Sequence, residues 1–173
     1  PRSFPPSPAP EVVTPGWEAT ASRVREVGLS SGVMPETAPA AAGNLPRRLP
    51  ALLGRDAEIA ALDQALRDAP VVSLVGPAGM GKTALARAVA SRVQASGRHV
   101  DGVWWVEAAE LSPGSDLVQH VGQVLSLPLN RAPDPLAALC RGLATLDVLL
   151  VLDNCEHLVA DAAALVQALE SRC

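Results

Sequence analysis

Cysteine is sparse in this sequence: Cys140, Cys155 and Cys173 form an odd, widely spaced set of 3. The set is odd and scattered and no pair has metal-ligand spacing, so no disulfide framework is expected and a reducing, cytoplasmic setting is. Long apolar runs are missing too, and none approaches the roughly 20 residues that a membrane-spanning helix requires. There is no excess of positive charge: 14 Lys and Arg stand against 18 Asp and Glu, for a formal charge of -4 and a pI near 5.3. That balance gives no overall attraction to nucleic acid or to an anionic membrane, so any DNA-reading part is expected outside these residues. No internal repeat is found. The sequence begins at Pro1 rather than Met, without the basic-then-apolar start of a signal peptide, and is expected to be a piece of a longer protein.

What remains is enough for one domain with a sizeable core: 173 residues, 49% hydrophobic, with a mean hydropathy of +0.22. Residues 1–50 hold most of the prolines and the Ala-rich stretch Ala38 to Gly43, and are expected to be a mostly disordered linker with at most a short helix near Trp17 to Val27. From residue 51 the patterning changes. Ile59, Leu62 and Leu66 fall on one helical face, and Pro70 ends that helix before the β-rich run Val71 to Val75. Leu85, Val89 and Val93 recur at helical spacing, and Gly97 closes that helix. A strand is expected at Val103 to Val106, bounded by Gly102 and the Ser112-Pro113-Gly114 turn, then a helix from about Asp116 to Leu125. Asp134 followed by Pro135 reads as an N-cap with proline at the first helical position, for a helix ending near Thr145. Val148 to Leu152 is continuously apolar, as in a parallel strand covered on both faces, and a last helix runs from Leu158 to Leu169. Strands alternating with helices imply an α/β fold with a parallel sheet.

Between the strand at Val71 and the helix that follows lies Gly76-Pro77-Ala78-Gly79-Met80-Gly81-Lys82-Thr83, a P-loop in its required strand, loop, helix context. Its glycines let the backbone wrap a phosphate, and successive N–H groups at a helix N-terminus supply positive potential. Lys82 reaches the outer phosphates as a point charge, and the Thr83 hydroxyl takes a coordination position on Mg2+. Asp153, at the end of the apolar strand, is placed to be the second magnesium anchor and a catalytic carboxylate. The residue after it is Asn154, which is no base, so either Glu156 or His157 assists hydrolysis or the protein works as a slow nucleotide-state switch. Cys155 and His157 alone make no metal site. Trp104 and Trp105, neighbours on a strand, face opposite ways, and at least one packs in the core.

Leu52 to Glu58, the P-loop, Val103-Trp104-Trp105-Val106-Glu107 and Leu149-Leu150-Val151-Leu152-Asp153-Asn154-Cys155-Glu156-His157 together resemble the signal-transduction ATPases with numerous domains, called STAND ATPases. The resemblance covers roughly Asn44 to Cys173. It points most closely to the ATPases of bacterial transcriptional regulators, which are related to the NB-ARC and AAA+ groups. It implies a three-layer α/β/α P-loop NTPase that binds ATP or ADP with Mg2+. It also makes Leu53, Gly54 and Arg55 candidate contacts on the adenine and ribose side. DNA contact is implied only through domains outside this chain, as is nucleotide-dependent self-association of the full-length protein.

In that family the Walker B helix is followed by a strand that sits between the P-loop strand and the Walker B strand. Here the sequence stops short of it, so a truncated core with three of five strands is expected, unstable alone. A GTPase would need Asn-Lys-x-Asp after the Walker B strand, and a small-molecule kinase would need an Arg-rich lid. A nucleotide-binding scaffold without turnover is the third alternative.

Overall fold

The computed structural model describes residues 11–13 (as backbone), 43–46, 52–112 and 116–172. The helix expected near Trp17 to Val27 and the turn at residues 113–115 lie outside them. In chain order the elements are β1 (Glu11–Val13), α1 (Asp56–Asp68), β2 (Ser73–Val75), α2 (Lys82–Ser96), β3 (Val103–Glu107), α3 (Leu117–Val124), α4 (Pro135–Leu143), β4 (Leu149–Asp153) and α5 (Val159–Arg172).

The helix signals act as physics dictates. Asp116 caps α3 by accepting the Gln119 N–H at 3.0 Å, and Asp134 caps α4 by accepting that of Ala137 at 3.0 Å, with Pro135 in the first turn. Gly97 ends α2 in the left-handed region at φ 65, a conformation that costs glycine little. Leu85, Val89 and Val93, on one face of α2, are each buried. Trimming Leu85 to alanine would cost about 2–5 kcal/mol in such a site.

β3 and β4 run parallel, with Val103 opposite Leu149 and Glu107 opposite Asp153. Alternation along both strands sorts their side chains between two cores. Val103, Trp105, Leu149 and Val151 pack with Leu62 of α1 and with Leu85, Val89 and Val93 of α2. Trp104, Val106, Leu150 and Leu152 pack with Leu117 and Val121 of α3, Leu139 of α4 and Leu165 of α5. The two tryptophans therefore part as their spacing implies, and both are packed.

β2 is not hydrogen-bonded to this parallel pair. It pairs antiparallel with β1, Glu11 opposite Val75 and Val13 opposite Ser73. Two two-stranded sheets thus stand where a single parallel sheet was expected, and one strand comes from residues 1–50. Every residue of β4 is half-buried, whereas β3 is mostly buried. Among the described residues β4 pairs on one edge only, which accounts for its exposure.

Residues 43–46 carry a second attachment from the same stretch. Gly43 bridges Val103, and the Asn44 side chain accepts the Trp105 N–H at 2.6 Å while donating to the Trp105 carbonyl at 2.8 Å. Leu45 is buried in the core beneath. One side chain here satisfies backbone groups that a neighbouring strand would otherwise pair.

Candidate functional site

The glycine loop leaves β2 at Gly76 and enters α2 at Lys82. Gly79 and Gly81 adopt φ of 79 and 78, values that a side chain would strain, and Gly81 is the N-cap of α2. The N-terminus of a 15-residue helix thus opens onto the loop, with first-turn N–H groups that have no partner within the helix and the positive end of the helix dipole. The Lys82 ammonium donates to the carbonyls of Gly76 at 2.8 Å and Pro77 at 3.1 Å, so it lies across the loop it would serve. Pro77 and Ala78 are exposed, and Met80 is half-buried.

The fold brings the other half of the site to this loop. The Thr83 hydroxyl donates to Oδ1 of Asp153 at 3.1 Å, joining the first turn of α2 to the last residue of β4. Asp153 Oδ2 is buried without a hydrogen-bond partner. Burial chiefly, and the Glu107 carboxylate as well, push the Asp153 pKa above the ordinary carboxylate value against the hydrogen bond from Thr83. A buried carboxylate oxygen lacking a donor, beside a threonine hydroxyl, is a donor set that suits a hard cation taking oxygen ligands, and the pair fits magnesium. Asp153 does not cap the next helix, since α5 begins only at Val159.

The remaining sequence candidates separate. Arg55 donates from Nη1 to the Met80 carbonyl at 2.9 Å, with Nε 3.4 Å from Glu58. Its side chain therefore grips the P-loop backbone. Leu53 is exposed, and Gly54 makes a left-handed turn at φ 73. Glu156 is exposed in the turn before α5, and His157 Nε2 donates to the Leu111 carbonyl at 2.7 Å, which ties that turn to the loop after β3. Burial, with the nearby carboxylates, raises the Cys155 thiol pKa, so the thiol is kept protonated.

Three residues outside the sequence-based site set, Glu107, Asn154 and Arg87, stand beside Asp153. Asn154, at φ 58, donates from Nδ2 to Oε1 of Glu107 at 2.7 Å. Arg87 lies 3.9 Å from the other Glu107 oxygen, with its guanidinium 5.0 Å from the Trp105 ring centroid. The signal for Glu107 was its place as the polar residue closing an apolar strand, as Asp153 closes the other.

A family model described as AAA ATPase domain matches residues 51–172. An uncharacterized protein of Mycobacterium tuberculosis is 31% identical over 127 residues, 73% of this chain and 32% of that protein. A second protein of the same organism, provisionally named an HTH-type transcriptional regulator, is 33% identical over 103 residues, 60% of this chain and 11% of its own length. Counterparts of both in Mycobacterium bovis match equally. The chain thus spans about a third of the first of these relatives and a ninth of the second. No solved structure matches. Among the described residues no helix is long and apolar enough to cross a membrane.

Proposed function

This chain belongs to the AAA ATPase domain family, and we propose that it is the ATP/ADP-binding switch module of a larger STAND-type signalling ATPase that regulates transcription. One observation carries the reading: Thr83 of the P-loop helix and Asp153 of the strand end meet at 3.1 Å, with the second Asp153 oxygen buried and unpartnered. Gly76 to Gly81 would cradle the phosphates, Lys82 would turn from the loop carbonyls to the outer phosphates, and Thr83 with Asp153 would hold Mg2+. Bound there, the ion would neutralise charge on the phosphate oxygens. Arg55 would set the shape of the loop from the adenine side, next to Leu53 and Gly54.

The switch rests on how α2 and β4 are coupled. A γ-phosphate and its cation would fix the Thr83 and Asp153 ends together, and hydrolysis would release them. The residue following Asp153 is an amide, which favours slow turnover. The two cores, one with α1 and α2 and one with α3 to α5, support a three-layer arrangement completed by a further strand between β2 and β4. DNA would be reached through other domains, in keeping with the acidic charge balance and with the likeness to a regulator named for its HTH. Nucleotide-dependent self-association of the full-length protein belongs to the same proposal, as does a cytoplasmic location.

Titrating Mg-ATP, Mg-ADP and Mg-GTP into the full-length protein and its Lys82→Ala variant tests the reading. Adenine-selective binding lost in the variant, with little phosphate release, is the expected result. Equal or tighter GTP binding, or rapid transfer to a small-molecule acceptor, would overturn it.

A further inference from the structure

Hydrolysis at this site would need a group that orients the water attacking the γ-phosphate. The position beside the Walker B carboxylate holds Asn154, and Glu156 lies exposed in the turn before α5. The strand alternation identifies another carboxylate. Residues 103 and 105 of β3 and 149 and 151 of β4 face α1 and α2, and Glu107 and Asp153 continue that series in register. Asp153 confirms the facing by its bond to Thr83, and Glu107 by its approach to Arg87, which lies one turn beyond Thr83 on α2.

Glu107 thus stands at the C-terminal end of the parallel pair, on the P-loop helix side, beside the proposed magnesium ligand. It differs from Asp153 in being open to water: its side chain is 40% exposed, whereas an Asp153 oxygen is buried. It is also fixed in place. Asn154 Nδ2 donates to Oε1 at 2.7 Å, the Ala109 N–H donates to the same oxygen at 3.3 Å, and Arg87 sits 3.9 Å from Oε2. The left-handed backbone of Asn154, unusual for a residue other than glycine, aims its amide sideways at the neighbouring strand.

We propose that Glu107, positioned by Asn154 and facing α2 beside Asp153, is the catalytic carboxylate that orients the attacking water and takes its proton. The inference rests on the nucleotide-binding reading above. In the step it serves, the water oxygen forms a bond to the γ-phosphorus. The bond from that phosphorus to the β,γ-bridging oxygen breaks, and its electron pair leaves with ADP. The water proton passes to Glu107 and then to solvent, leaving inorganic phosphate. Asn154 is a positioning residue, holding the carboxylate where a base directly after Asp153 would otherwise stand.

The test uses the full-length protein with Glu107→Gln, which keeps an acceptor for Asn154 and Ala109, and with Glu107→Asp, which keeps the charge but withdraws it by one methylene. Mg-ATP affinity is measured by calorimetry, phosphate release in single turnover, and bound nucleotide by extraction after purification. In Glu107→Gln, affinity should stay within about threefold while phosphate release falls by about 100-fold. The extracted nucleotide should shift from ADP toward ATP, a change that a purely structural strand-end cap would not produce. Glu107→Asp should show the same separation of affinity from rate, and Asn154→Ala should lower the rate by about tenfold with KM little changed. Wild-type phosphate release in Glu107→Gln, or a loss confined to Glu156→Gln, would overturn the role of Glu107 and leave nucleotide binding intact. Failure of the wild-type protein to bind Mg-ATP would instead remove the nucleotide reading, and this role with it.

Discussion

Arg55 donates to the carbonyl oxygen of Met80 at 2.9 Å, so the turn before α1 is tied to the middle of the glycine loop. Arg55 is itself the N-cap of α1, and its side chain makes no capping bond to that helix but serves the loop instead. Arg55→Ala is expected to weaken Mg-ATP binding several-fold by loosening the loop. It should lower stability by about 1 kcal/mol, the scale of one charge-assisted bond that is partly open to solvent. Parallel nucleotide titration and thermal melting separate the two effects.

Lys82→Ala should leave the fold intact, because among the described residues its ammonium bonds only to the loop carbonyls of Gly76 and Pro77, in an exposed position. Mg-ATP affinity should drop by at least tenfold, about 1.4 kcal/mol or more, through loss of a charge-assisted phosphate contact. An unchanged affinity by calorimetry would sink the assignment of this lysine to the phosphates.

Asp153 gives a pH-dependent prediction. Its pKa is raised, mainly by burial, so the carboxyl supports the fold most when protonated, and that contribution is lost as pH rises through the folded value. Asp153→Asn should therefore not lower the melting temperature of the nucleotide-free protein at neutral pH. Its melting curve should no longer rise with Mg-ATP, whereas the wild type should gain about 2.7 kcal/mol at a ligand concentration of 100 Kd.

Asp63 behaves in the opposite sense. Desolvation raises its pKa, but the hydrogen bond from Arg67 and the charges of Arg98 and Arg67 outweigh this and hold it below the ordinary carboxylate value. Its Oδ1 meets Arg98 Nη2 at 2.6 Å, joining α1 to the segment after α2. A lowered carboxylate stabilises the fold above its unfolded value, near 3.9 for Asp, and the contribution is lost as pH falls through the lower folded value. Asp63→Asn should cost about 1 kcal/mol at neutral pH and flatten the acid limb of a stability profile measured by urea unfolding.

Asn44→Ala should cost about 1–3 kcal/mol by urea unfolding, since it strips partners from both the N–H and the carbonyl of Trp105. Gly43→Ala should be no milder, because an added Cβ there would collide with the Val103 carbonyl.

Much of this was legible in the sequence where local chemistry decides structure. The caps at Asp134 and Gly97, the helical spacing of Leu85, Val89 and Val93, and the apolar run closed by Asp153 each follow from rules that act within a few residues. The loop glycines and Lys82 were readable for the same reason. Four features were not. Glu11–Val13 pairs with β2 across some 60 positions, and two valines between prolines give no periodicity to find. Asn44 acts on a strand 61 positions away, where no turn or cap pattern applies. Arg55 was assigned to the base side through family likeness, and the geometry gives it the Met80 carbonyl, a contact that depends on how α1 packs on α2. The Glu107 and Asn154 pair belongs with these, since it exists only once the register of β3 and β4 is set.

The Asn44 hook also determines the direction in which this sheet can grow. One margin of β3 is taken by β4 and the other by Gly43 and Asn44, whose groups leave no room for a further strand alongside Val103 to Trp105. Any added strand, from this protein or from another, must therefore dock on the margin of β4, next to Asp153. The same block removes one of the two places where such a pair could stack edge to edge into aggregates.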